Sequence, residues 1–201
     1  MKKIVISSLL LLASNVAVSG ENVGPYVSVD FGAAIPADDG HTFFNANGVG
    51  GMDLDTGFAF GAASGYAFRN NLRVEGELAY QFNNVSLSRY GNVNGNNYSS
   101  SGNTNIHTLA GLVNGYYDFK NESDFTPYLG AGVGIGGVVN ESFADFGGVA
   151  FAYQVGGGLD YSVTEKITIG VKYRYFGLLN NKLDNNNAAS HNIYAGARFY
   201  F

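Results

Sequence analysis

Three histidines, one glycine-rich run and a balanced set of charges are the residues of this 201-residue chain whose types and spacing could do chemistry. His41, His107 and His191 lack the spacing of metal ligands. Ser190-His191 sets a hydroxyl beside a base, but no orienting acid is in view, so these histidines read as loop or rim residues and not as catalytic ones. Cysteine is absent, which removes a disulfide framework, a thiolate zinc site and a cysteine nucleophile. Gly132-Val133-Gly134-Ile135-Gly136-Gly137 fits GxGxxG in form. A dinucleotide site needs a helix next, whereas Val138-Val139-Asn140 lead into a loop. The strongest constellation is the charged one: Asp30, Glu75, Glu77 and Asp160 against Arg73, Lys172, Arg174 and Arg198. Each stands among alternating apolar residues, so the chemistry indicated is ion pairing in a confined space. No catalytic, cofactor-binding or metal-binding residue is expected.

The segments holding these charges are sparse in charge otherwise. Charged residues make up 13% of the chain, aromatics 14%, and glycine numbers 29. The net charge of −5 gives no reason to expect a nucleic-acid partner. Lys2 and Lys3, the apolar run 4–13 and the small residues Ala17-Val18-Ser19 read as a signal peptide over 1–19, cleaved after Ser19 or Gly20, with a barrel domain over 20–201. Cleavage removes both lysines and takes the formal charge from −5 to −7. Ten apolar residues are too short for a spanning helix, and no later run is longer, so a membrane would have to be crossed by strands.

Eight segments alternate with period two: 25–35, 57–68, 72–82, 105–119, 127–139, 149–161, 165–176 and 192–201. The third is the clearest, with Leu72, Val74, Leu78, Tyr80 and Phe82 on one face and Arg73, Glu75, Glu77 and Gln81 on the other. The fourth is the weakest. In the fifth, Leu129, Ala131, Val133, Ile135 and Val139 face out and glycines face in. Long polar connections (36–56, 83–104, 140–148, 177–191) alternate with short ones (69–71, 120–126, 162–164). Outward aromatics gather near strand ends around an aliphatic middle. The fold expected is all-β: an eight-stranded antiparallel up-and-down transmembrane β-barrel with both termini at the periplasmic rim. A ten-stranded count follows if 36–56 or 83–104 conceals a hairpin. A soluble barrel is disfavoured because the bulky face is too large for a small lumen, which the Gly/Ala-rich face fits. By parity the eight charges face that lumen, where they must pair and plug it, and the alternate glycines thin its wall.

Thr126 to Gly134, Tyr153 to Tyr161, Tyr173-Arg174-Tyr175-Phe176 and Ser190 to Phe201 carry a likeness to a known family. On them the chain resembles the opacity-type and OmpA-like small outer-membrane β-barrels, a group of surface antigens and adhesins. The resemblance implies a multi-pass protein of the Gram-negative outer membrane, exported and then inserted by the assembly machinery, with outer-membrane lipid around it. Phe201, ending an alternating strand, looks like the assembly signal. Such barrels serve as adhesins, small pores, wall links and occasionally enzymes. Adhesion or contact with a host-surface protein through the 36–56 and 83–104 loops is the function expected, with Phe43, Phe44, Tyr90 and Tyr98 as recognition candidates. A small porin-like channel or a purely structural role is the alternative.

Overall fold

The structure, a computed structural model, describes residues 22–37, 40–45, 48–93, 96–139, 148–179 and 188–201. These form β1 (Gly24–Pro36), β2 (Gly40–Asn45), β3 (Gly48–Leu54), β4 (Gly57–Ala67), β5 (Leu72–Val93), β6 (Asn96–Asp118), β7 (Phe125–Val139), β8 (Ala150–Ser162), β9 (Ile167–Leu179) and β10 (Ala188–Tyr200). Eight of them close a ring: β1–β4–β5–β6–β7–β8–β9–β10, with β10 returning to β1, every pair antiparallel. A closed ladder pairs backbone N–H and C=O groups without an edge, which hydrocarbon demands of any strand that crosses it. The expected eight-stranded barrel is the fold observed. The signal-peptide reading of 1–19 lies outside the described residues.

The two remaining strands decide the ten-stranded alternative. A hairpin is concealed in 36–56, but it does not enter the ring. β3 pairs with the upper half of β5 over Gly48↔Gly91 to Leu54↔Val85, above the level at which β4 ends against Phe82, and β2 pairs with β3. The 83–104 segment is likewise not a loop. β5 and β6 stay paired up to Val93↔Asn96. The intervening Asn94-Gly95 is the dipeptide favoured in two-residue hairpins, a signal the sequence offered and the loop reading passed over.

At the opposite rim the connections are short. Phe68 N–H donates to Leu72 O at 2.8 Å, and Val163 N–H to Ile167 O at 2.9 Å. Asn71 takes a left-handed φ of +68°, which asparagine tolerates better than most side chains.

The alternation sorts the side chains as expected. Phe58 and Leu78 are 76% and 63% exposed on the outer wall, whereas Arg73 and Glu77, one residue from outward neighbours, are 1% and 3% exposed inside. Val139 departs from expectation. Its rung with His107 continues the outward register, yet it is 3% exposed and thus covered. The weak alternation of the fourth segment also has a cause: Gly111 and Gly115 occupy outward positions of β6, while Leu112 is buried inside. Val74 is outward on the lipid side, and Val74→Arg is expected to cost about 2–4 kcal/mol of folding free energy in lipid. Glu75→Gln, which keeps its shape and two of its hydrogen-bonding sites, is expected to cost clearly less. Equilibrium refolding of both variants into vesicles measures the difference.

Candidate functional site

The lumen is filled in two layers. The lower and middle layer, toward the short turns, is polar. Arg73 Nε donates to both oxygens of Asp118 at 2.9 and 2.8 Å, and its Nη2 lies 3.8 Å from Asp160 Oδ2. Arg198 Nη1 donates to the same Asp160 oxygen at 2.8 Å. Lys172 Nζ donates to Asp30 Oδ2 at 2.7 Å, and Arg174 Nη1 to Glu77 Oε1 at 2.5 Å. Glu77 Oε2 also accepts from Asn114 Nδ2 at 2.7 Å and Gln154 Nε2 at 2.9 Å. Glu75 pairs with no cation in this set; it accepts from Tyr26 Oη at 2.8 Å, Tyr116 Oη at 2.9 Å and Asn114 Nδ2 at 3.1 Å.

All eight lumen charges named from the sequence therefore face the interior, and seven sit in ion pairs. Asp118 was missed. It lies in the fourth segment, whose alternation is the weakest, and it shares the inward parity of Asn114 and Tyr116. The inward Tyr26, Tyr116 and Tyr128 were missed as well. Arg73 lies over the rings of Tyr116 and Tyr128 at 4.9 and 4.8 Å, Arg174 over Tyr194 at 4.6 Å, and Arg198 over Tyr26 at 5.2 Å. Tyr194 Oη also accepts from Arg174 Nη2. These aromatic faces hold the cations where water is excluded.

The glycines do more than thin the wall. A Cβ on Gly65 would fall 2.8 Å from Tyr26 Cζ, and one on Gly158 would fall 2.6 Å from Tyr128 Oη. A Cβ on Gly130 would collide with the Tyr116 ring. Each glycine is the seat of a tyrosine from a neighbouring strand.

Above the polar layer the lumen turns apolar. Ala79, Ala110, Leu112, Ala152, Phe176 and Leu178 form one buried cluster on β5, β6, β8 and β9. Across from it Ser190 Oγ donates to Gln81 Oε1 at 3.1 Å, and Asn192 is buried beside them on β10. The sequence reading gave the interior only polar and small residues. Phe176 and Leu178 share the parity of Lys172 and Arg174, which is the signal that places them inside.

The recognition candidates stand outside the ring. Phe43 and Phe44 are in β2, opposite Gly50 and Val49, and Tyr98 is in β6, opposite Gly91; their side chains lie outside the described residues. Tyr90, on upper β5, is 61% exposed. Phe201 follows β10 and is exposed; its N–H donates to Pro25 O at 3.1 Å, tying the end of the chain to β1. His107 and His191 face outward, each against a tyrosine hydroxyl.

Breaking a buried ion pair by removing one partner costs about 3–5 kcal/mol, because the other charge stays buried. Glu77→Gln and Arg174→Met are each expected to destabilise the barrel by that order. The double variant is expected to lose about 0.5–3 kcal/mol less than the two losses combined. A double-mutant cycle from urea unfolding in detergent measures this, and strictly additive losses would show the pair to be uncoupled.

The comparisons agree with this architecture. The model of the outer membrane protein beta-barrel domain family matches residues 4–201. Outer membrane protein PagN of Salmonella typhimurium is 40% identical over 76 residues, a match that spans 32% of this chain and 31% of PagN. Among solved structures, Neisserial surface protein A (NspA) is similar with a TM-score of 0.56 at 21% identity, covering 89% of this chain and 97% of that one. OprG from Pseudomonas aeruginosa gives 0.53 at 17% identity over 92% and 100%. At these identities the two structures speak to the fold. With the family model spanning nearly the whole sequence over a closed ring of eight strands, the chain belongs to the outer membrane protein β-barrel domain family.

Proposed function

We propose that this outer-membrane barrel is closed to solutes and acts at the cell surface, making contact with host cells or matrix proteins through the sheet raised above its outer rim. The observation that carries this reading is the length of β5 and β6. Beyond Phe82, the last rung shared with β4, β5 continues for 11 residues to Val93. At about 3.3 Å per residue that is about 36 Å of additional strand. With β2 and β3 it makes a four-stranded sheet in the order β2–β3–β5–β6. Among the described strands β2 and the upper part of β6 have no partner on their far sides, so two sheet edges are open to an extended segment of another protein. Tyr90 stands exposed on this sheet, and an aromatic on a polar surface is a good anchor. The lumen supports the same reading from the other direction, because its ion-pair layer and apolar layer leave a wide passage no room.

Export through the 1–19 segment and insertion by the assembly machinery belong to this proposal. Phe201 is its C-terminal signal: deleting it is expected to lower insertion in cells while refolding in detergent proceeds as before.

The test of function replaces 84–105 by a two-residue turn and, separately, 38–55 by a short Gly-Ser turn. Both barrels are expected to keep the heat-modifiable mobility of a folded protein and to lose binding to cultured host cells and matrix proteins. In planar bilayers the intact protein is expected to form no stable large channel at neutral pH. Unchanged binding in both replacements, or none by the intact protein, removes the contact reading; a stable large channel turns the assignment to a pore.

A further inference from the structure

The outward row of the ring carries no Lys, Arg, Asp or Glu on any of its eight strands, from the short turns up to the last rungs shared with neighbours. That is the composition hydrocarbon requires. Two imidazoles interrupt it, His107 on β6 and His191 on β10.

The two are built alike. His191 stands opposite Tyr175 and diagonal to Tyr173; Tyr173 Oη lies 2.7 Å from His191 Nδ1, with the rings stacked at 6.0 Å and 25°. Tyr175 meets the same imidazole edge-on at 5.3 Å. His107 stands opposite Phe82 and diagonal to Tyr80; Tyr80 Oη lies 2.7 Å from His107 Nδ1, and Phe82 lies 5.2 Å from the ring. The β5–β6 and β9–β10 pairs are four strands apart in a ring of eight, so the frames sit on opposite sides of the barrel.

Height fixes what such a frame meets. His191 lies 8 residues above Phe199 and 10 above Phe201, the aromatics at the lower end of its strand. With about 3.3 Å per residue and a tilt of about 40°, it stands roughly 20–25 Å above them along the membrane normal. That is the upper edge of an apolar band about 25 Å tall, where headgroups begin.

The hydrogen bond occupies Nδ1 and leaves Nε2 as the second polar atom of the ring. When the Tyr173 hydroxyl donates to Nδ1, the imidazole proton is on Nε2; when the imidazole is charged, Nδ1–H donates to the hydroxyl oxygen and Nε2 again bears a proton. In these two states Nε2–H is a donor, whereas the neutral Nδ1–H tautomer, which donates to the hydroxyl, leaves Nε2 an acceptor; a phosphate oxygen selects the states with the proton on Nε2, on a ring held by Tyr173 and Tyr175. We propose that the Tyr173–Tyr175–His191 frame is a seat for the phosphate of an outer-leaflet lipid headgroup, a site separate from the raised sheet and independent of what that sheet binds.

The test is made on the wild-type barrel, labelled with ¹⁵N at histidine and held in phosphatidylcholine nanodiscs, to which lipid A is added. The Nε2 resonance of His191, assigned by its loss in His191→Phe, is expected to shift with lipid A and to stay in place with dephosphorylated lipid A or with inorganic phosphate. Thermal unfolding supplies the second measurement. Lipid A is expected to raise the unfolding temperature of the wild type, and His191→Phe, which keeps an aromatic ring in the frame, to lose most of that rise. Tyr173→Phe, which removes only the orienting hydroxyl, is expected to reduce the Nε2 shift. No shift with lipid A, the same shift with its dephosphorylated form, or the same shift with inorganic phosphate alone overturns the proposal.

Discussion

A ring of eight strands encloses a space only as wide as the side chains that point into it, and the rest of this molecule answers to that width. The inner face has to be filled to contact without leaving a charge alone. The lower lumen does this with ions: Arg73 reaches Asp118, Arg174 reaches Glu77, Lys172 reaches Asp30, and Arg198 reaches Asp160. Burying these groups is costly, so each carboxylate needs more than one partner. Glu77 has three, from Arg174, Asn114 and Gln154. The upper lumen uses the opposite solution, with Leu112, Phe176 and Leu178 packed among alanines. Ions below and hydrocarbon above fill most of the lumen, leaving a small cavity among Asp30, Glu75, Tyr116, Lys172 and Arg198.

The same width explains the glycines. A tyrosine ring and a guanidinium cannot both lie in so narrow a space against a wall of ordinary side chains. Tyr26 lies over Gly65, Tyr128 over Gly158 and Tyr116 over Gly130, and in each case a single added carbon would collide with the ring. In the run that mimics a nucleotide-binding pattern the neighbours are different: a Cβ on Gly132 would meet the Asn114 side chain, and one on Gly134 or Gly136 the β6 strand itself. The run's spacing of two is the spacing of one strand face.

Legibility in the sequence followed the same division. Wherever lipid was on one side and ions on the other, as from Leu72 to Phe82, the alternation gave strand, face and partner set together, because one environment was applied to every second residue. It weakened where both faces carried similar residues. β6 turns glycines toward lipid and Leu112 toward the core, so its pattern faded although its register did not. The apolar layer was hidden for this reason, since Phe176 differs in type from Lys172 and Arg174 while sharing their face. Asp118 was hidden in β6, where the faded pattern left its inward parity unread. The raised sheet was hidden by composition: Asn, Ser and Gly from 96 to 103 read as loop, and only their pairing with upper β5 makes them strand. Propensity is a weak guide where a ladder partner is already in place.

That partner is also what makes the raised sheet a continuation of the barrel. β5 is one strand with two left-hand neighbours in succession: β4 up to Phe82 and β3 from Val85 onward. The change of partner is fastened at one point. Asn83 Nδ2 donates to Ala34 O and to Asp55 O, both at 3.1 Å, while Asp55 N–H donates to Asn84 O at 2.9 Å and Ser86 Oγ to Asp55 Oδ2 at 3.3 Å. Asn83 is buried there, so the joint between ring and sheet is made of hydrogen bonds that water does not readily replace. A loop of the same length would have to be ordered each time it met a partner, at a cost of about 1–2 kcal/mol per residue fixed. Here much of that ordering is done within the fold, because the strands that would meet a partner are the upper ends of strands already locked into the ring. The closed ladder that lets the chain cross a membrane thus also supplies, above it, a surface organised before anything binds.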